Sequence, residues 1–349
     1  MVERIWKLEA VLSQEEHSSK IELVMSYNFL SIIDLMSTDD AVKYSHVLMA
    51  MVMDNDKWQV MSHEPAKKLK QVECCLRQLL HLSTSKLHSI IEIQHSVLSL
   101  FLRLAFFHVT KGTRKIAHCE SCINLQEMPT ARNLSEVYFY KLLDSLLTLV
   151  TGQQKKREHL SSYLDLLSGL AHYVQDLLRS VAVVPAKLKQ EQVSTEWQEL
   201  MDFCVKIRKI PDSESQGLSS AFVLLIWFLG FHMMTDFKVA VDLLQDVYVC
   251  YEKADITEQT AITEQTDVTV DENEPHWMDV MMDVLLKVMS LQSRLARVIA
   301  VNVFRLLSQH VTTNAVSLIT EVLTPNKSPG IGNEDVLVET DEEHISHDE

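Results

Sequence analysis

Few residues in this chain have the type and spacing to do chemistry. His118-Cys119-Glu120-Ser121-Cys122 sets two thiols three residues apart, a spacing that can share a zinc ion. A structural zinc site needs four ligands, however, and no second Cys-x-x-Cys completes the set. His108 and His118 could be recruited only by a fold that brings them together, so reduced loop cysteines are the expectation. Asp54-Asn55-Asp56 matches the carboxylate pairs that hold magnesium in polymerases. It follows a helical stretch and precedes Lys57 and Trp58, which reads as a solvated helix end. Nucleotide-binding loops, a Gly-x-Ser-x-Gly elbow, a His-Glu-x-x-His zinc motif and a kinase signature are all missing; the one Gly-x-Gly, Gly330 and Gly332, lies in an acidic tail. No catalytic, cofactor-binding or metal-binding residue is assigned, and the chain reads as no enzyme.

Two leucine motifs point instead to protein contacts. Leu76-x-x-Leu79-Leu80 and Leu143-x-x-Leu146-Leu147 match the short helix by which coregulators enter receptor grooves. Leucine-rich helices produce the same pattern by chance, and both are expected to face the core. Arg294, Arg297 and Arg305 fall within about 80° on one helix face at 100° per residue. They suit an acidic partner or a phosphate, against the plainer reading of a solvated face. No residue is assigned as a partner contact.

The elements that would position these residues are helices. Of 349 residues, 7 are Gly and 7 are Pro, too little turn chemistry for a sheet protein. Apolar residues, 47% of the chain, recur with helical period near 3–14, 19–36, 39–53, 65–82, 85–110, 133–151, 155–181, 192–209, 217–234, 237–253, 276–290, 294–310 and 313–323. Short links between them make neighbours antiparallel. The expected fold is all-α, an irregular armadillo/HEAT-like α-solenoid of antiparallel helix pairs; an irregular helical bundle is the alternative. The uncharged stretch 215–235 holds a solid apolar run shorter than the roughly 20 residues a membrane span requires. It is expected to be a buried central helix, with no membrane association.

Charge divides the chain further. Residues 255–274 carry seven acidic groups and no basic one, and 324–349 carry eight against Lys327. Those two segments hold −14 of the net −16, and 255–274 repeats Ile-Thr-Glu-Gln-Thr at 256–260 and 262–266. The expected division is a helical array over 1–254, an acidic disordered linker over 255–274, further helices of the same array over 275–324, and an acidic disordered tail over 325–349. Residues 111–132 read as a long loop. An acidic chain of this kind is a poor general binder of phosphate backbones and suits protein partners, basic ones included. Six cysteines without framework spacing fit a reducing compartment.

The last third carries a resemblance. Glu274-Pro275-His276-Trp277-Met278-Asp279-Val280, Leu285-Leu286, Arg294, Arg297-Val298 and Val303-Phe304, then Leu318-Ile319-Thr320-Glu321-Val322-Leu323-Thr324-Pro325-Asn326, resemble the Myb-binding protein 1A family, also classed with DNA polymerase phi. Ser220-Ala221-Phe222, Leu229-Gly230-Phe231-His232 and Asp242-Leu243-Leu244 are similar to the preceding helix pair. The resemblance is specific over 217–326. It implies a nuclear and nucleolar scaffold that binds transcription factors and nucleolar proteins and acts in ribosomal RNA gene expression and ribosome production. It implies nucleic-acid contact only through the longer family protein, and a polymerase activity for which this chain shows no residues. Family members are longer, with a basic C-terminal region, so the chain reads as a central fragment or shortened form. No cofactor is implied.

Overall fold

The computed structural model describes residues 30–31, 33–53, 65–85, 91–121, 128–152, 156–208, 216–263 and 275–323. Among these residues the chain forms eleven main helices and one short strand pair. In order they are α1 (Thr38–Met53), α2 (Pro65–Thr84), α3 (Ile91–Phe106), β1 (Phe107–Val109), α4 (Pro129–Gly152), α5 (Lys156–Arg179), β2 (Val183–Pro185), α6 (Gln190–Arg208), α7 (Gln216–Met233), α8 (Phe237–Thr263), α9 (Trp277–Ser290), α10 (Arg294–Leu306) and α11 (Thr313–Leu323). A 3₁₀ turn at Ser308–His310 links the last two.

Two helices sit at the centres of the two halves. α3 packs against α1, α2, α4 and α5, and α7 packs against α5, α6, α8 and α10. α7 is the uncharged stretch of the sequence. Ala221, Phe222, Leu224, Leu225, Ile226 and Leu229 have no exposed surface, and Trp227 and Phe231 are almost as buried. Such a helix is apolar all round because neighbours cover every side. Among the described residues no helix is long and apolar enough to cross a membrane. Gly230 lets α7 approach α6 closely: a Cβ there would sit 2.6 Å from Leu200 Cδ1 and 3.6 Å from the Trp197 ring on α6.

α4 holds the halves together. It packs against α2, α3 and α5, and also against α10 far along the chain. There Arg294 Nε meets the carboxylate of Asp144 at 3.3 Å. The helix starts are capped as their sequences require: Ser293 Oγ accepts from Ala296 N–H at 3.3 Å, and His276 Nδ1 accepts from Met278 N–H at 3.2 Å. Trp277 is 4% exposed, its ring centroid 6.1 Å from Phe222 and 5.5 Å from His310. The expected apolar stripe of α9 therefore faces its neighbours.

Three expectations need correction. The stretch 85–110 is not one helix: α3 stops at Phe106, and Phe107–Val109 pairs antiparallel with Val183–Pro185, Phe107 opposite Pro185. Ala186 N–H donates to Phe106 O and Thr110 N–H to Ala182 O, each at 2.8 Å. A short apolar run fits strand or helix equally, and a distant strand decided it. Next, the acidic linker does not begin at 255. α8 continues to Thr263, because extending an existing helix is easy for Glu, Gln and Ala once earlier turns have formed. Finally, the loop expected over 111–132 ends earlier, since α4 starts at Pro129, a residue favoured in a first helical turn. Residues 264–274 and 324–349, the 3–14 helix and most of the 19–36 helix lie outside the described residues.

Candidate interaction surface

The sequence candidates are dispersed by the fold. Asp54, Asn55 and Asp56 lie outside the described residues. Both leucine motifs are core: Leu76 and Leu79 have no exposed surface and Leu80 is 7% exposed, while Leu143, Leu146 and Leu147 are similarly buried. Neither can enter a partner's groove without unfolding its helix. Of the three arginines on α10, Arg294 is engaged by Asp144, and Arg305 Nη1 donates to Asn302 Oδ1 at 3.2 Å. Arg297 is exposed.

The cysteine loop is built more tightly than its sequence suggests. Cys119 is fully buried, and Cys122 lies outside the described residues. Thr113 N–H donates to Cys119 O at 2.6 Å, and Tyr173 OH on α5 donates to Ala117 O at 2.7 Å. Ser121 Oγ donates to Met53 O at the end of α1. Between these anchors His118 adopts φ 60°, the left-handed region that non-glycine residues rarely occupy. Burial, with help from Arg103, His95 and His46, pushes the His118 imidazole down to about 4. Among the described residues no group of three His, Cys, Asp or Glu side chains is placed to hold a metal ion.

An open groove of about 810 Å³ runs along α6, lined by Ser194, Thr195, Gln198, Glu199, Asp202, Phe203 and Lys206. Its floor is aromatic. The half-buried Phe203 ring lies 4.2 Å from Tyr248 of α8 and 5.6 Å from Tyr251, so α8 fixes its orientation. Its walls are acidic. Glu199 and Asp202 are exposed, and Glu196 beside them is raised above the usual carboxylate range by burial and by Glu199. Lys206, the one cation among the described residues that line the groove, is paired with Glu252 Oε1 at 2.9 Å and lies 5.5 Å over the Phe203 ring. An apolar floor with acidic walls suits a segment that presents a large side chain between Lys or Arg residues. Nothing in the sequence marked this surface: its lining residues all lie on α6, and the α8 residues that orient Phe203 and pair with Lys206 are dozens of residues further on.

The family model described as DNA polymerase phi matches residues 12–349. A Myb-binding protein 1A-like protein of Danio rerio is 27% identical over 234 residues, 64% of this chain and 18% of its own length. Myb-binding protein 1A of Homo sapiens is 26% identical over 246 residues, 68% of this chain and 17% of its own length. The Rattus norvegicus protein of that name is 25% identical over 270 residues, 77% of this chain and 19% of its own length. The chain thus spans less than a fifth of the length of these relatives. No solved structure matches the chain.

Proposed function

The chain belongs to the DNA polymerase phi family, and on that premise we propose that it is a non-enzymatic, protein-binding scaffold acting in transcription. The family match over residues 12–349 carries this reading, together with relatives whose name states that they bind Myb. Its partners are transcription factors and nucleolar proteins, and its setting is the nucleus and nucleolus, in ribosomal RNA gene expression and ribosome production. The mechanism is surface complementarity along a helical array. The α6 groove takes a basic segment of the partner, with Phe203 offering the apolar contact and Glu199 and Asp202 the charge.

Purified chain mixed with purified Myb tests this by size-exclusion chromatography. Co-elution that is lost on Glu199→Lys with Asp202→Lys supports the groove. Co-elution unaffected by that pair keeps the scaffold but moves the contact elsewhere, and independent elution contradicts the proposal. The family's name favours a second reading, a nucleic-acid polymerase. Primer extension by the purified chain, abolished by Asp54→Ala with Asp56→Ala, would establish that reading in place of the scaffold.

A further inference from the structure

Arg103 is the most deeply buried cation among the described residues. It is 2% exposed on the central helix α3, and its Nε and Nη2 have no hydrogen-bond partner. A guanidinium stays charged under any ordinary condition, so burial cannot be relieved by losing the proton. The other buried charges are handled differently. Asp144 has Arg294 at 3.3 Å, and Arg132 donates to Ala105 O and bonds His108 Nδ1 at 2.9 Å. Arg103 has no ion pair among the described residues, and the groups that feel its charge are Arg132, His118 and Tyr173.

We propose that Arg103, with His95 and His118, forms a binding site for a small oxyanion of the phosphate class, beneath the loop that carries Cys119. The donors suit such a ligand: a planar fork whose Nε and Nη2 are both unused and two imidazoles, each able to donate one N–H. They come from separate elements, and the charges of Arg103 and His95 both act on His118. Arg103 and His95 are on α3, and His118 is on the loop anchored to α5 by Tyr173 and to α1 by Ser121. Gly169 of α5 makes room for His95, since a Cβ there would sit 3.0 Å from its Nε2. Exposure falls from His46 on α1, which faces solvent, through half-buried His95 and His118 to Arg103. The left-handed His118 backbone is the kind of conformation that persists where surrounding contacts over-determine it, as Thr113, Tyr173 and Ser121 do here.

Inorganic phosphate is the probe, with sodium chloride at matched ionic strength as control. Melting of the wild-type chain should shift upward and saturate with phosphate, the folded-to-unfolded ratio rising about 100-fold at a concentration 100 times the dissociation constant. Arg103→Met removes the charge and keeps most of the volume. It should melt higher than wild type in chloride, because a lone buried cation is lost, and should not respond to phosphate. Equal melting of wild type in phosphate and chloride overturns the site, as does a response retained by Arg103→Met. Should Arg103→Met fail to fold, imidazole NMR of the wild-type chain decides. Phosphate must raise the His118 titration midpoint while chloride leaves it in place; unchanged titration refutes the proposal. None of these outcomes bears on the transcription-factor reading, whose partner binds α6.

Discussion

α3 and α7 occupy the same position in their two halves, each surrounded by four other helices, yet they are filled differently. α7 buries an almost wholly apolar surface; its polar exceptions are Trp227 Nε1 and His232 Nε2, both uncharged and unpartnered. His232 is held below its ordinary value by burial and stacks on Phe228 at 5.9 Å. α3 buries Gln94, Ser99 and the full charge of Arg103 within its apolar surface. A helix like α7 gains from every contact and is explained by burial alone. A helix like α3 carries a group whose dehydration is unfavourable, and that cost needs a counterpart, a ligand or a function. The C-terminal half therefore explains how the array is held together, and the N-terminal half is where chemistry remains to be found.

The largest expected effect lies on the α7 side. Trp277→Ala should cost about 3–5 kcal/mol, since the cavity opens between Phe222 and His310, whose rings lie against the indole. Chemical denaturation would measure it, and a midpoint equal to wild type would mean that α9 does not pack as described. On the α3 side the largest effect is one of pH. His118 titrates at about 4 in the folded chain against 6.5 unfolded. As pH falls below about 6.5 the unfolded chain takes up a proton that the folded chain refuses, and the loss is complete near 4. The shift corresponds to about 3 kcal/mol across that window in phosphate-free buffer. His118→Gln should flatten this dependence, and an unchanged slope would show that the imidazole is not buried.

A smaller effect sharpens the packing of α7. Gly230→Ala improves helix propensity but forces a Cβ against Leu200, so a net loss of about 1–3 kcal/mol from overpacking is expected. Leu200→Val in the same chain should recover part of it, measured as a double-mutant cycle. The smallest effect concerns residues 264–274. α8 and α9 pack directly on each other, so a Gly/Ser link in place of 264–274 should change stability by less than about 1 kcal/mol. Loss of the α9–α11 helices on that replacement would show that the segment is part of the fold.

Much of the architecture was legible before any coordinates. Residues 276–290, 313–323 and 217–234 read as helices almost to their observed ends because their apolar positions repeat at helical spacing between Pro, Ser or Gly boundaries. The burial of α7 was legible from an uncharged run too short for a membrane. The β1–β2 pair was not, since Phe107-His108-Val109 continues the apolar pattern of α3 and its partner strand is remote in sequence. The helical stretch of α8 beyond Ala254 was hidden by its acidity, which argues against burial but not against helix. Arg103 did leave a signal: it is the single charge in the run Leu98–Phe107, between Leu102 and Leu104. A charge in a run apolar on all sides must be buried, and that inference was available from the residues alone. The α6 groove left none, because α6 and α8 meet only in the folded chain.

Docking of a basic partner segment in the α6 groove is tested most directly by isothermal titration of a Lys/Arg-rich peptide containing one aromatic residue into the folded chain, at low and high salt. Saturable 1:1 binding is expected, weakening as salt rises and lost in the Glu199→Lys, Asp202→Lys chain. Absence of heat at low salt, or binding that survives both charge reversals, would contradict an acidic docking groove on α6.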